Sequence, residues 1–153
     1  MKKIVLFIIM LFSIFNIKLN VKAQENELII GAASGILIET KTKSILYEKN
    51  KDAKLSPASM TKIMTLLLVY EAMDNGLFDK NTILTTSDYA ASMGGSQVFL
   101  KVGEEISVDE AIKCVCIASA NDAAVAMAEE ICGSEEEFVK KMNEKVKELG
   151  LNN

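Results

Sequence analysis

The stretch Ser56-Pro57-Ala58-Ser59-Met60-Thr61-Lys62 runs straight into Ile63-Met64-Thr65-Leu66-Leu67-Leu68-Val69-Tyr70. Ser56 suits a helix N-cap, and Pro57 suits the first helical position, where its missing N–H costs nothing. The residues that follow are apolar nearly all round, which predicts a helix buried in the middle of a domain. Asn75-Gly76 ends it. Ser59 and Lys62 stand three apart in the predicted first turn, so the hydroxyl and the amine share one helix face. A serine needs a neighbouring base to become a nucleophile, and a lysine can serve where its surroundings favour the neutral amine. Backbone N–H groups at the helix start suit a developing oxyanion. Taken alone the tetrapeptide also fits a plain helix start with a solvated lysine. It gains weight as the chain's one S-x-x-K, placed after Pro57 and leading into an apolar helix.

Outward from this helix, residues 81–100 read as a loop-rich region holding Gly94-Gly95-Ser96. Ser107-Val108-Asp109-Glu110 is a capping box opening a helix to about Ala118. Ser119-Ala120-Asn121 interrupts, a helix over 122–132 closes at Gly133, and Ser134-Glu135-Glu136-Glu137 is a second capping box. The helix after it shows an apolar face of Phe138, Met142, Val146 and Leu149. Towards the N-terminus, 32–38 and 44–48 alternate as two strands around the polar turn Thr40-Lys41-Thr42-Lys43, a β-hairpin. No later strand is read, and a single hairpin is rarely stable by itself.

Lys2 and Lys3 precede an apolar run over 4–17 and then Val21-Lys22-Ala23, the pattern of an export signal cut before Gln24. That run is short of the roughly 20 residues a bilayer span needs. Residues 24–153 then suit one domain. The net charge is −4, and loss of Lys2, Lys3, Lys18 and Lys22 makes the remainder more acidic, which disfavours nucleic acid and anionic lipid as partners. The 153 residues contain no histidine, so Ser-His-Asp and Cys-His triads and imidazole metal sites are excluded. Three cysteines cannot close a four-thiolate zinc site. Cys114, Cys116 and Cys132 read as small buried residues of helices, Cys114 and Cys116 standing too close for an easy bridge.

Ser119-Ala120-Asn121, 60 residues after Ser59, lies between two predicted helices. Its hydroxyl can relay a proton, and its carboxamide can hold a substrate amide from both donor and acceptor ends. Ordinary capping of a helix junction is the plainer reading of the same residues. Together, Pro57-Ala58-Ser59-Met60-Thr61-Lys62, Gly94-Gly95-Ser96-Gln97-Val98-Phe99-Leu100 and Ser119-Ala120-Asn121-Asp122-Ala123 closely resemble the D-alanyl-D-alanine carboxypeptidases, the low-molecular-weight penicillin-binding proteins. The resemblance covers nearly all of residues 30–153. It implies an α/β (α+β) fold of the β-lactamase and penicillin-binding transpeptidase type. It also implies that Ser59 attacks the bond between the two terminal D-alanines of a peptidoglycan stem peptide and that Lys62 takes its proton. Ser119 then relays a proton to the leaving D-alanine, Asn121 holds the substrate amide, and water releases the acyl-enzyme. Penicillins and other β-lactams would acylate the same serine. No metal or organic cofactor is implied, because serine acyl transfer needs only a base and dipoles.

The family's third motif, K-T-G, has no counterpart here. Lys41-Thr42-Lys43 is the nearest approach, with the wrong third residue and on the wrong side of the nucleophile. In the family that motif binds the substrate carboxylate and its strand supplies an oxyanion-hole N–H. The expectation is therefore an N-terminal part of an enzyme, with further sheet strands and a C-terminal membrane anchor lying beyond Asn153. Such a chain should have little activity and should aggregate through an unpaired strand edge. An export signal places it in the bacterial cell envelope, outside the cytoplasmic membrane or secreted. Two rivals remain. A class A β-lactamase carries S-D-N where Ala120 stands here, with a deacylating glutamate further on. A non-catalytic remnant would at most bind peptidoglycan or a partner.

Overall fold

The structure, a computed structural model, describes residues 31–151. The predicted export signal, residues 1–23, lies outside them. Two compact units divide between Lys51 and Asp52.

In the first unit, β1 (Gly35–Ile38) and β2 (Ile45–Lys49) form an antiparallel hairpin. Leu37 pairs with Tyr47 and Ile38 with Ile45, the register slipping between them. The first strand begins three residues later than the alternation suggested. The turn is built by Glu39, whose carboxylate accepts the N–H groups of Lys41 and Thr42. These bonds, Thr42's the stronger, hold the Glu39 carboxyl below its ordinary range. Lys43 takes a left-handed backbone (φ 60°) and bonds back to the Glu39 carbonyl at 2.9 Å.

The second unit begins with a 3-10 turn, Ala58–Met60, followed by α1 (Thr61–Asp74). Here the cap prediction is corrected. Pro57, not Ser56, occupies the N-cap position, no side chain caps the turn, and the α-helix starts only at Thr61. Ala58 is left-handed (φ 47°), so the chain reverses just before Ser59. Burial of α1 is also one-sided rather than complete. Thr65, Leu68, Val69 and Ala72 are buried, whereas Ile63 is 69% exposed and Tyr70 51%. The buried side is covered by α4 (Asn121–Cys132) and α5 (Glu135–Glu148), which pack against α1 and each other.

The expectation of no further strands fails. β3 (Ile83–Thr85) pairs antiparallel with β4 (Glu105–Ser107), Leu84 facing Ile106. The bond from Thr86 N–H to Glu104 O (2.9 Å) extends the pair. A short helix, α2 (Asp88–Ala91), follows β3 and is capped by Ser87, which accepts the Ala90 N–H. The expected box at Ser107 is complete and opens α3 (Val108–Ala118). Its carboxylate, Glu110, is pulled below the ordinary range chiefly by the Ser107 side chain. At Ser134 only half the box forms: the serine accepts the Glu137 N–H, while the Glu137 carboxylate takes the Lys140 ammonium at 2.6 Å. Gly133, left-handed at φ 79°, closes α4.

Val69, Leu84, Val108, Val115 and Met127 form the main core, joined by a smaller cluster of Leu68, Ala128 and Phe138. Phe138 is the buried member of the predicted α5 face, while Leu149 is half exposed because it lies past the helix end. The cysteines depart from expectation in one place. Cys114 and Cys132 are half-buried, but Cys116 is exposed, and all three are free thiols. Cys116 sits two residues from Cys114 and so turns to another side of α3.

Candidate active site

Three short segments of the second unit bring the predicted residues together. The 3-10 turn carries Ser59, the first turn of α1 carries Lys62, and the α3–α4 junction carries Ser119 and Asn121. The junction turns sharply because Ser119 ends α3 in a left-handed conformation (φ 55°, ψ 37°), with Ala120 N–H reaching back to Cys114 O at 3.2 Å. Ala120 is fully buried and anchors the turn between the exposed hydroxyl and the carboxamide.

The Ser119 hydroxyl donates to the Ser59 hydroxyl at 2.8 Å. The Lys62 Nζ donates to Asn121 Oδ1 at 2.6 Å. The spacing predicted a Ser59–Lys62 encounter along one helix face. Instead, each of the two is bonded to a different residue of the Ser119–Asn121 turn. The physical reason is local winding: Ser59 belongs to the tight 3-10 turn and Lys62 to the α-helix after it, so they are not successive turns of one regular helix. Both still line the same clefts. One, of about 490 Å³, runs from Ser59, Lys62, Ser96 and Asn121 to Phe138 and Met142. The other, of about 310 Å³, is lined by Ser59, Lys62, Ser119 and Cys116.

A further set of contacts was not read from the sequence. Asn121 Nδ2 donates to Gly94 O at 2.6 Å, and its backbone N–H donates to Ser96 O at 2.7 Å. Both polar ends of the carboxamide are therefore engaged. Gly95 is left-handed (φ 78°), and a Cβ there would stand 3.0 Å from Asn121 Nδ2, so any other residue would be strained and would press the carboxamide away. The Gly94-Gly95 pair was the visible signal, but nothing in it named its partner.

Chemically, the arrangement offers a hydroxyl in contact with a second hydroxyl, beside an amine held by a carboxamide. That set can support attack by one oxygen and proton movement through the others. Among the described residues no group of three His, Cys, Asp or Glu side chains could hold a metal ion, and no helix is long and apolar enough to cross a membrane.

A family model described as D-alanyl-D-alanine carboxypeptidase matches residues 20–153. The D-alanyl-D-alanine carboxypeptidase DacF of Bacillus subtilis (strain 168) is 59% identical over 128 residues, which is 84% of this chain and 33% of that relative. The solved structure of the D-alanyl-D-alanine carboxypeptidase DacD from Francisella tularensis aligns with a TM-score of 0.78 at 36% identity, covering 82% of this chain and 30% of that one. Penicillin-binding protein D2 from Listeria monocytogenes, solved in an ampicillin-bound form, aligns with a TM-score of 0.72 at 28% identity, covering 82% and 50%. The chain spans about a third of the length of the curated relatives it matches.

Proposed function

The chain belongs to the D-alanyl-D-alanine carboxypeptidase family, with the penicillin-binding fold of its solved neighbours, and from that premise we propose that it supplies the nucleophile and proton relay of a serine peptidase acting on peptidoglycan stem peptides ending in D-Ala-D-Ala. The observation that carries this is the 2.8 Å bond between the Ser119 and Ser59 hydroxyls, flanked by the Lys62–Asn121 pair.

Ser59 Oγ forms the bond to the carbonyl carbon of the penultimate D-alanine, and its proton passes to the Lys62 amine. The bond to the terminal D-alanine nitrogen then breaks as the proton held by Lys62 passes through the Ser119 hydroxyl to that nitrogen, leaving both groups as they began. Water attacks the resulting ester, gives a proton to Lys62, and that proton returns to Ser59 Oγ as the acid leaves. Asn121 is the group to hold the substrate amide. Its two ends already bond Lys62 and Gly94 O, so substrate takes the second lone pair of Oδ1 or the second N–H of Nδ2, or exchanges with one of these contacts.

The 153 residues include no Lys-Thr-Gly triplet. Residues 24–153 are thus proposed to supply the attacking group, and no residue among them is assigned to the substrate carboxylate. Ampicillin is bound to the Listeria relative, and β-lactams are proposed to acylate Ser59 here. Residues 1–23 are proposed as a removable export signal, placing 24–153 in the bacterial cell envelope.

The test is intact-mass spectrometry of residues 24–153 after incubation with a labelled penicillin, beside Ser59→Ala. A covalent adduct absent from the variant supports the proposal. A soluble, folded sample with no adduct refutes acylation and favours the non-catalytic remnant. Rapid nitrocefin hydrolysis would point to a β-lactamase instead.

A further inference from the structure

Asp122, the second residue of α4, is fully buried and has no part in the chemistry above. Burying a carboxyl is costly unless its oxygens find donors. Oδ2 accepts the N–H groups of Val98 at 3.2 Å and Leu100 at 3.0 Å, and Oδ1 accepts Ala123 N–H at 2.9 Å. Between the two loop amides stands Phe99, left-handed at φ 63° and 74% exposed. Its side chain gains little by burial, so the conformation is held from the backbone side, by the carboxyl that both neighbouring amides reach.

The same loop grips Asn121 at its other end. Ser96 O takes the Asn121 backbone N–H, and Gly94 O takes the side-chain amide nitrogen. A carbonyl can only accept, so Gly94 requires the NH₂ end of the carboxamide and turns Oδ1 towards Lys62. If the loop moves away, that choice is lost. The amide can rotate and present its NH₂ to the Lys62 amine.

We propose that Asp122 is a positioning residue that acts through the 94–100 loop to fix the Asn121 carboxamide with its oxygen on Lys62. This deepens the functional reading and rests on it for its consequence, but not for its test. The 153-residue chain and its Asp122→Asn variant would be compared by NMR, reading the Asn121 side-chain NH₂ resonances and the exchange of the Val98, Leu100 and Asn121 amides. An asparagine there keeps only one accepting oxygen, so its NH₂ must face either the Val98 and Leu100 N–H groups or the Ala123 N–H, and the three bonds cannot all be kept. Exchange at these sites is expected to rise at least tenfold relative to the interior of α4, with the Asn121 NH₂ signals displaced and penicillin acylation of Ser59 slowed at least tenfold. A lowered melting temperature with unmoved Asn121 NH₂ signals would overturn the proposal, because a merely structural carboxyl predicts that result. Should Asp122→Asn not fold, Gly95→Ala reaches the contact from the loop side, and unmoved Asn121 signals in it would equally overturn the coupling. If wild type forms no penicillin adduct at all, the functional reading fails, while the NMR signals still decide the positioning claim.

Discussion

In the hairpin of residues 35–49 every large aliphatic side chain is at least 44% exposed, from Ile38 at 44% to Leu46 at 63%, whereas Leu68, Val69, Val108 and Met127 of the helical unit are fully sealed. The first region is held by its backbone ladder and by a carboxylate that closes the turn. The second is held by side-chain burial, and the candidate site is mounted on it. The difference teaches that apolar content alone does not make a core. Ile36, Leu37 and Ile38 are as apolar a run as Leu66, Leu67 and Leu68, but among these six only Leu68 is buried.

The largest expected effect breaks or keeps that contrast outright. Leu68→Ala should destabilise the chain by about 2–5 kcal/mol in urea unfolding, while Leu46→Ala should stay within about 0.5 kcal/mol. Equal losses would mean that the hairpin side chains are also in a core. Next, Ser107→Ala removes the N-cap of α3 and should cost about 1 kcal/mol. Smaller still is the pH term of the same cap. Glu110 is held low in the folded chain, so its contribution is present at neutral pH and is lost as pH falls below the ordinary value of 4.5. The fall in melting temperature on acidification should be shallower in Glu110→Gln. Last, Glu39→Gln should speed amide exchange at Lys41 and Thr42 and leave the helical unit untouched, which would confirm that the two regions are stabilised separately.

Sequence reasoning reached the four longer helices, the Ser107 and Ser134 caps and the four residues that the site gathers, because caps, periodicity and the S-x-x-K spacing are local signals. It missed α2 with its Ser87 cap. It also missed β3 and β4. Each is three residues long and the two lie 20 residues apart in the chain, too short for alternation to register. Ser56-Pro57 also misled, because a good capping pair does not say whether the turn after it winds as 3-10 or α. The reading that Ser59 and Lys62 share one face left out the Ser119–Asn121 turn, whose Ser119 bonds Ser59 and whose Asn121 bonds Lys62. Asp122 lay inside a quoted motif, yet its partners Val98 and Leu100 are 24 and 22 residues away, and no local pattern points to them.

The left-handed backbone at Ser119 sets two properties of the chain against each other. Any residue with a Cβ is strained at φ 55°, by about 1 kcal/mol, and glycine would not be. Ser119→Gly should therefore unfold at a higher temperature while losing the hydroxyl that touches Ser59. A breeding scheme that rewarded heat resistance alone would drift to glycine at this position and discard the hydroxyl contact with Ser59 with no visible change of shape.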